Sequence, residues 1–229
     1  MVIFMSAALA VAADGNASIF VVHGIPGKDL GLDPALAVDV SVNDGCALQD
    51  FKFGDIAGPL SLPAGTYSVA IRTANAAAPC GNPPVLGPVD LSFDGGTSYS
   101  VVAHLAEAGA PTASVFTNDL SLTPGLFGAR VILHHTAAAP AVDATLDRNT
   151  PWGVVPKFKL EDFRNGEQAV VPAWAGAWLA TLYPTGTDIV AAGPVDLRLQ
   201  KKAAYLIFAV GSLQQGTFTF LVETVYDLK

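Results

Sequence analysis

Apolar and polar residues alternate along short stretches of this chain, and turn-forming residues separate the stretches. Tyr67, Val69 and Ile71 fall on one face of an extended strand, and the residues between them fall on the other. Turn clusters such as Asn-Asp-Gly at 43–45 and Asp-Gly-Gly at 94–96 follow at hairpin intervals. No long window carries a helical period. The pattern predicts an all-β protein made of two tandem immunoglobulin-like β-sandwich domains, with about seven strands in each.

The number of domains follows from an internal repeat. Gly-Pro-Val-Asp-Leu at 87–91 recurs at 193–197, and Tyr99 and Tyr205 each begin a strand shortly afterwards, with a spacing of 106 residues in both cases. Further matches keep the same order along the chain: 20–23 with 131–134, 37–39 with 141–143, 51–53 with 158–160, and 64–67 with 175–178. We therefore expect one domain at 13–123 and a second at 124–229.

The first residues indicate export. Residues 1–13 are apolar and uncharged, and this stretch is too short to span a bilayer as a helix. Small residues at 10–12 suit a signal-peptidase site, so we expect a truncated signal peptide at 1–12. The basic part of a signal is missing, because the first positive charge is Lys28. A buried N-terminal strand is the alternative. The expectation is a secreted protein, extracellular or at the cell surface, without a transmembrane segment in its mature chain.

Composition and net charge exclude some classes of protein. Only 14% of residues are charged and 51% are hydrophobic, which excludes a disordered chain. Twelve basic residues against 20 acidic ones give a net charge of -8, so nucleic acid is not an expected partner. The excess of acidic residues lies before residue 125, where the sequence has 11 acidic and 3 basic residues. The rest of the sequence has 9 of each.

Two cysteines, Cys46 and Cys80, stand 34 residues apart. In an exported protein an even pair predicts one disulfide bond. Two free thiols, or half of a metal site, are the alternatives.

Four histidines and two recurring aspartate pairs are the remaining candidates for chemistry. The repeat aligns His23 with His134. Two roles fit this position: ligation of a metal ion, or a hydrogen-bonded histidine at the end of a sheet. The recurring aspartates, Asp39 with Asp143 and Asp90 with Asp196, are interpreted as turn-fixing residues that accept backbone N–H bonds. No nucleophile elbow, phosphate loop or metalloprotease motif is present in the sequence. We expect no catalytic residues, no bound metal and no cofactor.

Tryptophan offers the best sequence argument for binding. All three tryptophans lie in the second repeat, where Trp178 matches Tyr67 at an inward position and is expected in the core. Trp152 follows a proline in a loop, and Trp174 matches Pro63 at a turn. These two are the ligand candidates, as a carbohydrate platform or as packing against the other domain.

Several of these segments, taken together, resemble a known family. They are Val-Val-His-Gly-Ile-Pro-Gly at 21–27, Leu-Pro-Ala-Gly-Thr-Tyr at 62–67, Phe-Thr-Asn-Asp at 116–119, and the run from His134 to Asp143. In this order they are similar to the family named domain of unknown function 4397. The resemblance implies an exported bacterial protein with β-sandwich domains, often in tandem, and it implies no catalytic residues. The second repeat departs from the pattern around Trp152 and Trp174.

Together these features predict a secreted, non-catalytic protein that binds a ligand or forms part of the cell envelope or matrix. An unknown protein or glycan of the envelope is the expected partner, and self-association is possible. The alternatives are an extracellular hydrolase with an unrecognised site and a self-assembling surface protein.

Overall fold

A computed structural model describes residues 15–121, 126–226 and 228. The expected signal peptide at 1–12 and the expected domain boundary at 123/124 lie outside these residues. Sixteen strands and one short 3-10 helix, Gly27–Leu30, make up the described elements. No helix in the described ranges is long and apolar enough to cross a membrane.

The first sandwich contains eight strands in two sheets. One sheet has the order β4-β1-β7-β8 and the other the order β3-β2-β5-β6. Neighbouring strands are antiparallel except β1 and β7, which are parallel. The strands are β1 (Asn16–His23), β2 (Ala37–Val42), β3 (Gly45–Lys52), β4 (Ile56–Pro63), β5 (Gly65–Thr73), β6 (Pro84–Phe93), β7 (Ser98–Leu105) and β8 (Pro111–Asn118).

The second sandwich repeats this topology strand for strand, in sheets of order β12-β9-β15-β16 and β11-β10-β13-β14. The prediction of two tandem β-sandwiches is therefore confirmed, with eight described strands in each where seven were expected. The strands are β9 (Gly128–His135), β10 (Val142–Thr150), β11 (Gly153–Phe163), β12 (Glu167–Trp174), β13 (Gly176–Pro184), β14 (Ala192–Leu199), β15 (Ala203–Val210) and β16 (Thr219–Tyr226).

The two sandwiches pack back to back through the sheets that contain β1 and β9. Every residue of β15 is buried, because one face of this strand looks into the second sandwich and the other looks towards the first. This explains why the segment is a continuous apolar run and does not alternate. The shared core consists of Phe20, Val22, Val102 and Phe116 from the first sandwich and Ile132, Leu206, Phe208 and Val210 from the second. Burial of each such side chain contributes about 1.5–3 kcal/mol.

Polar contacts and one glycine complete this junction. The Thr217 hydroxyl donates to the Asp29 carboxylate at 2.5 Å, and the Asn165 amide donates to the Leu105 carbonyl at 2.9 Å. At Gly24 a Cβ atom would lie 2.7 Å from a methyl group of Val210. A side chain at this position would therefore push the two sandwiches apart, because packed interiors leave little free space.

Strand pairing corrects the predicted alignment of the histidines. β1 pairs with β7 so that Ile19 lies opposite Tyr99, and β9 pairs with β15 so that Val131 lies opposite Tyr205. Phe20 is therefore equivalent to Ile132, and His23 to His135. The predicted match of His23 with His134 is wrong by one residue. Such a slip exchanges the two faces of a strand, because side chains alternate with a period of two.

The predicted match of 51–53 with 158–160 is also wrong. Val38 pairs with Phe51, and the equivalent Val142 pairs with Phe163. The match of Tyr67 with Trp178 is correct, since Tyr67 pairs with Leu91 and Trp178 with Leu197 of the repeated Gly-Pro-Val-Asp-Leu motif.

Candidate ligand cavity

The first sandwich encloses a cavity of about 140 Å³ between its two sheets. All eight strands contribute to its wall, and the side chains in this wall are apolar apart from the Tyr67 hydroxyl. That hydroxyl donates to the Pro63 carbonyl at 2.7 Å. Among the described residues that line the cavity, no side-chain donor is left for a polar ligand.

The inward side chains of this sandwich are incompletely buried. Val21, Val42, Val69 and Val101 line the cavity and remain partly accessible. Val89 on β6 also lines it and is 46% exposed. Since a packed sandwich interior normally excludes water from such positions, the space between the sheets is open along the edge formed by β6 and β8.

The second sandwich fills the equivalent space with aromatic side chains. Trp178 is only 2% exposed and stacks on Phe158 with ring centroids 6.1 Å apart. The guanidinium carbon of Arg148 lies 5.3 Å from the centre of the Trp178 ring. Phe158 lies opposite Leu146, where the first sandwich has Gly45 opposite Val42.

A third aromatic side chain replaces a small one at the open edge. Ala113 pairs with Ala103, and at the equivalent place Phe220 pairs with Ala209 and packs against the second core. Several exchanges run the other way, with the larger side chain in the first sandwich: Val69 against Ala180, Val40 against Ala144, Leu62 against Ala173 and Phe93 against Leu199. In the wall of the cavity, the first sandwich thus has Ala113 and Tyr67 where the second sandwich has the larger Phe220 and Trp178.

The hydrogen bond at this aromatic position is the same in both sandwiches. Trp178 donates from its indole nitrogen to the Trp174 carbonyl at 2.8 Å, as Tyr67 does to Pro63. The prediction that Trp178 is a core residue is confirmed. The bond fixes the ring against the preceding turn, so this end of the cavity is closed by a tethered side chain.

A disulfide bond braces the sheet that forms the outer wall. Cys46 on β3 is joined to Cys80 in the β5–β6 connection, with Cα atoms 5.6 Å apart. The predicted disulfide is confirmed, and the alternatives of free thiols and half a metal site are wrong. The two sulfur atoms lie within 4.8 Å of an Asp39 oxygen, but they are bonded to each other and do not offer a metal thiolate ligands.

Asp39 organises the backbone next to the disulfide. Its buried carboxylate accepts N–H bonds from Asp50 at 3.1 Å, Asn75 at 3.2 Å and Cys80 at 2.8 Å. Burial opposes ionisation, but the three donors outweigh it and hold the pKa of Asp39 below its ordinary value. Asp143 accepts equivalent bonds from Asp162 and Gly186 in the second sandwich. The interpretation as turn-fixing residues is confirmed for Asp39 and Asp143. It is wrong for Asp90 and Asp196, which lie exposed within strands β6 and β14.

The four histidines are buried and take part in packing. His23 stacks on Phe51 at 6.1 Å, and its equivalent His135 packs on Phe163 at 5.7 Å. His134 instead faces the first sandwich and stacks on Phe208 at 4.3 Å.

Desolvation is the main cause of the altered pKa values of the histidines. It lowers the pKa of His23 and of His134 to about 4, and it also lowers the pKa of His104 and His135. All four rings are therefore neutral at physiological pH.

The tryptophans singled out as ligand candidates lie at one end of the second sandwich, away from the cavity. Trp152 occupies the β10–β11 turn and is 93% exposed, and Trp174 ends β12 and is 62% exposed. Trp174 also supplies the carbonyl that holds Trp178. A role for these two rings in ligand binding stays a prediction.

Sequence reasoning missed the cavity, although a signal for it was available. Aligned strand by strand, the repeats differ at two inward positions where the first repeat has an alanine and a tyrosine and the second has larger aromatic residues. That comparison requires the correct register, and the β3–β11 match was shifted.

Comparisons with known proteins name no activity. No curated protein matches the sequence. Among solved structures, the Bacillus anthracis TIE protein is similar with a TM-score of 0.27 and 11% identity, over 85% of this chain and 33% of that one. The chain thus spans about a third of the length of that protein. The family model described as Domain of unknown function (DUF4397) matches residues 10–145, from before β1 into β10. Since this match covers more than half of the sequence, the chain belongs to the DUF4397 family.

Proposed function

We propose that this chain is an exported, non-catalytic binding protein whose first sandwich takes a small apolar molecule between its sheets. The observation that supports this most directly is the difference between the repeats. The same fold is filled in the second sandwich by Trp178, Phe158 and Phe220, and it is left open in the first.

The size of the cavity sets the size of the ligand. An engineered cavity of about 150 Å³ lined by aliphatic and aromatic side chains binds benzene, and this cavity is close to that at about 140 Å³. At about 0.8 kcal/mol per buried carbon, a ring with one methyl group gains roughly 5 kcal/mol, which corresponds to a dissociation constant of a few tenths of a millimolar.

The remaining chemistry supports a binding role over a catalytic one. His23, His134 and His135 pack against aromatic rings, and His104 is hydrogen-bonded to the Leu105 carbonyl and to Ser114. Asp39 and Asp143 hold backbone N–H groups of turns. These groups therefore stabilise the fold, and they are neither exposed in a cleft nor aimed at a common point. The disulfide favours an oxidising compartment, which supports export.

Titration with toluene tests the proposal. Chemical-shift changes in the protein should map to residues that line the cavity and should saturate in the submillimolar to millimolar range. Ala113→Phe copies Phe220 at the open edge and should abolish these changes. Ala108→Phe places the same ring on an exposed turn and should leave them intact. Toluene that causes no saturable shifts in the unmodified protein, or equal shifts in Ala113→Phe, would contradict the proposal.

A further inference from the structure

A second cavity continues the first. It measures about 100 Å³ and shares Ile71, Leu86 and Ala103 with the wall of the first cavity. It extends away from Tyr67, beneath the β1–β2 connection that contains the 3-10 helix. The two cavities share wall residues from β5, β6 and β7 and therefore lie end to end; we treat them as two parts of one slot.

Two polar side chains, Thr73 and His23, line this second part. Thr73 accepts a hydrogen bond from the Asn82 amide at 3.0 Å, and the Nδ1 atom of His23 accepts one from the Ile25 N–H at 3.4 Å. The His23 ring is also stacked on Phe51. The other side chains that line this part are apolar, so most of the wall is suited to hydrocarbon.

The slot is long and narrow. Along β5 its wall runs from Tyr67 to Thr73, and six residues of a strand span about 20 Å. An extended hydrocarbon advances about 1.3 Å per carbon, given C–C bonds near 1.5 Å. The length therefore allows at most about 15 carbons, and the volumes of about 140 and about 100 Å³ together correspond to about 12 carbons, at the seven carbons assigned to the first cavity alone. Sheets that pack about 10 Å apart leave room for only one chain between their side chains.

One end of the slot has an exposed apolar rim. Leu32 in the β1–β2 connection is 50% exposed, and Val85 on β6 is 62% exposed. Both line the second cavity. At the other end the Tyr67 ring is tethered to Pro63. A chain that enters at the rim would reach the closed end with its tail.

We propose that the slot holds a single linear alkyl chain of a lipid-like ligand, with the polar head outside the rim formed by Leu32 and Val85. This inference rests on the proposed function and adds the shape of the ligand to it. A ligand of this shape uses both cavities, whereas a compact ring uses only the first.

A series of n-alcohols tests the shape, because the head group stays constant while the chain grows. Binding is measured by NMR titration or calorimetry for butanol to dodecanol, with 1-adamantanol as a bulky control. Each added methylene should tighten binding about fourfold. The gain should continue well beyond six carbons, and adamantanol should not bind.

Variants at two residues that line only the second cavity test whether the chain extends into it. Leu36→Phe in the β1–β2 connection and Val85→Phe on β6 fill this part of the slot, and neither residue lines the first cavity. In both, the gain in affinity with chain length should stop near hexanol while toluene binding persists. A cooperative thermal transition shows that each variant is folded. If neither variant folds, the affinities of the unmodified protein for the alcohols and for adamantanol test the proposed linear slot.

The possible failures are distinguishable. If toluene binds but affinity stops rising at six carbons in the unmodified protein, or if adamantanol binds as well as decanol, the linear slot is refuted and the proposed function stands. If neither toluene nor any alcohol binds, the proposed function itself fails. Alcohol binding that persists unchanged in Ala113→Phe would place the ligand outside the slot.

Discussion

Filling the first sandwich should make the protein more stable and abolish its binding. The variant Val42→Leu, Tyr67→Trp, Ala113→Phe copies Leu146, Trp178 and Phe220 of the second sandwich at the equivalent positions. The indole of the new tryptophan can donate to the Pro63 carbonyl, as Trp178 donates to Trp174. The larger side chains thus follow a packing that the same fold already uses.

The magnitude follows from the size of the cavity. Cavities cost about 24 cal/mol per Å³, so a cavity of about 140 Å³ corresponds to at most about 3 kcal/mol of lost stability. Imperfect fit of the new side chains costs about 1–3 kcal/mol. We therefore expect a net gain of about 1–2 kcal/mol in the free energy of unfolding. For a chain of this length each kcal/mol raises the melting temperature by about 2–4 °C.

Urea unfolding and toluene titration of the same samples check this prediction. The midpoint should rise with an unchanged denaturant slope, and toluene should cause no saturable shifts. Phe220→Ala is the matched control, since it opens the filled sandwich and should cost about 3–5 kcal/mol. A filled variant that is less stable and still binds toluene would refute the view that the first sandwich keeps an open interior for a ligand.

Three further predictions concern the groups that support the fold. Replacing Cys46 and Cys80 with serine should lower the free energy of unfolding by about 3–4 kcal/mol, the loop-closure value for 34 residues; a change below about 1 kcal/mol in urea unfolding would contradict this. Asp39→Ala leaves three backbone N–H groups without their acceptor and should cost about 2–4 kcal/mol, whereas a melting temperature equal to that of the unmodified protein would show that the carboxylate is dispensable. Acid should destabilise the protein between about pH 6.5 and pH 4, because His23 and His134 stay neutral in the fold while the unfolded chain binds protons near its ordinary pKa of about 6.5. Stability is complete above this window and falls as pH decreases through it; His134→Gln should show a shallower fall of melting temperature with pH, and identical curves would contradict the role of His134.

Several features of the protein follow from the sequence by itself. The alternation around Tyr67 and the regular turn clusters specify strands, because a period of two places one face of each strand in a core. The repeated Gly-Pro-Val-Asp-Leu motif divides the chain into two equivalent units, and the disulfide between Cys46 and Cys80 follows from their number and their expected environment. These are local or compositional properties, and the structure confirms them.

Other features depend on how the strands meet. The register of β9 against β15 decides that His134 faces the other sandwich while His135 faces its own core, and a shift of one residue reverses this without changing any local pattern. The packing of β1 and β7 against β9 and β15 also cannot be predicted from the sequence of a single strand. A buried apolar run shows that both faces are covered, but not by which other strands.

The cavity depends on tertiary structure most of all. It results from the difference between side chains that meet across two sheets, such as Tyr67 on β5 and Ala113 on β8 in one sandwich and Trp178 and Phe220 in the other. Each of these residues is compatible with a strand or turn by itself. Whether the space between the sheets is filled or open depends on the summed volumes of side chains on strands that are distant in sequence. Only the folded structure brings these side chains together.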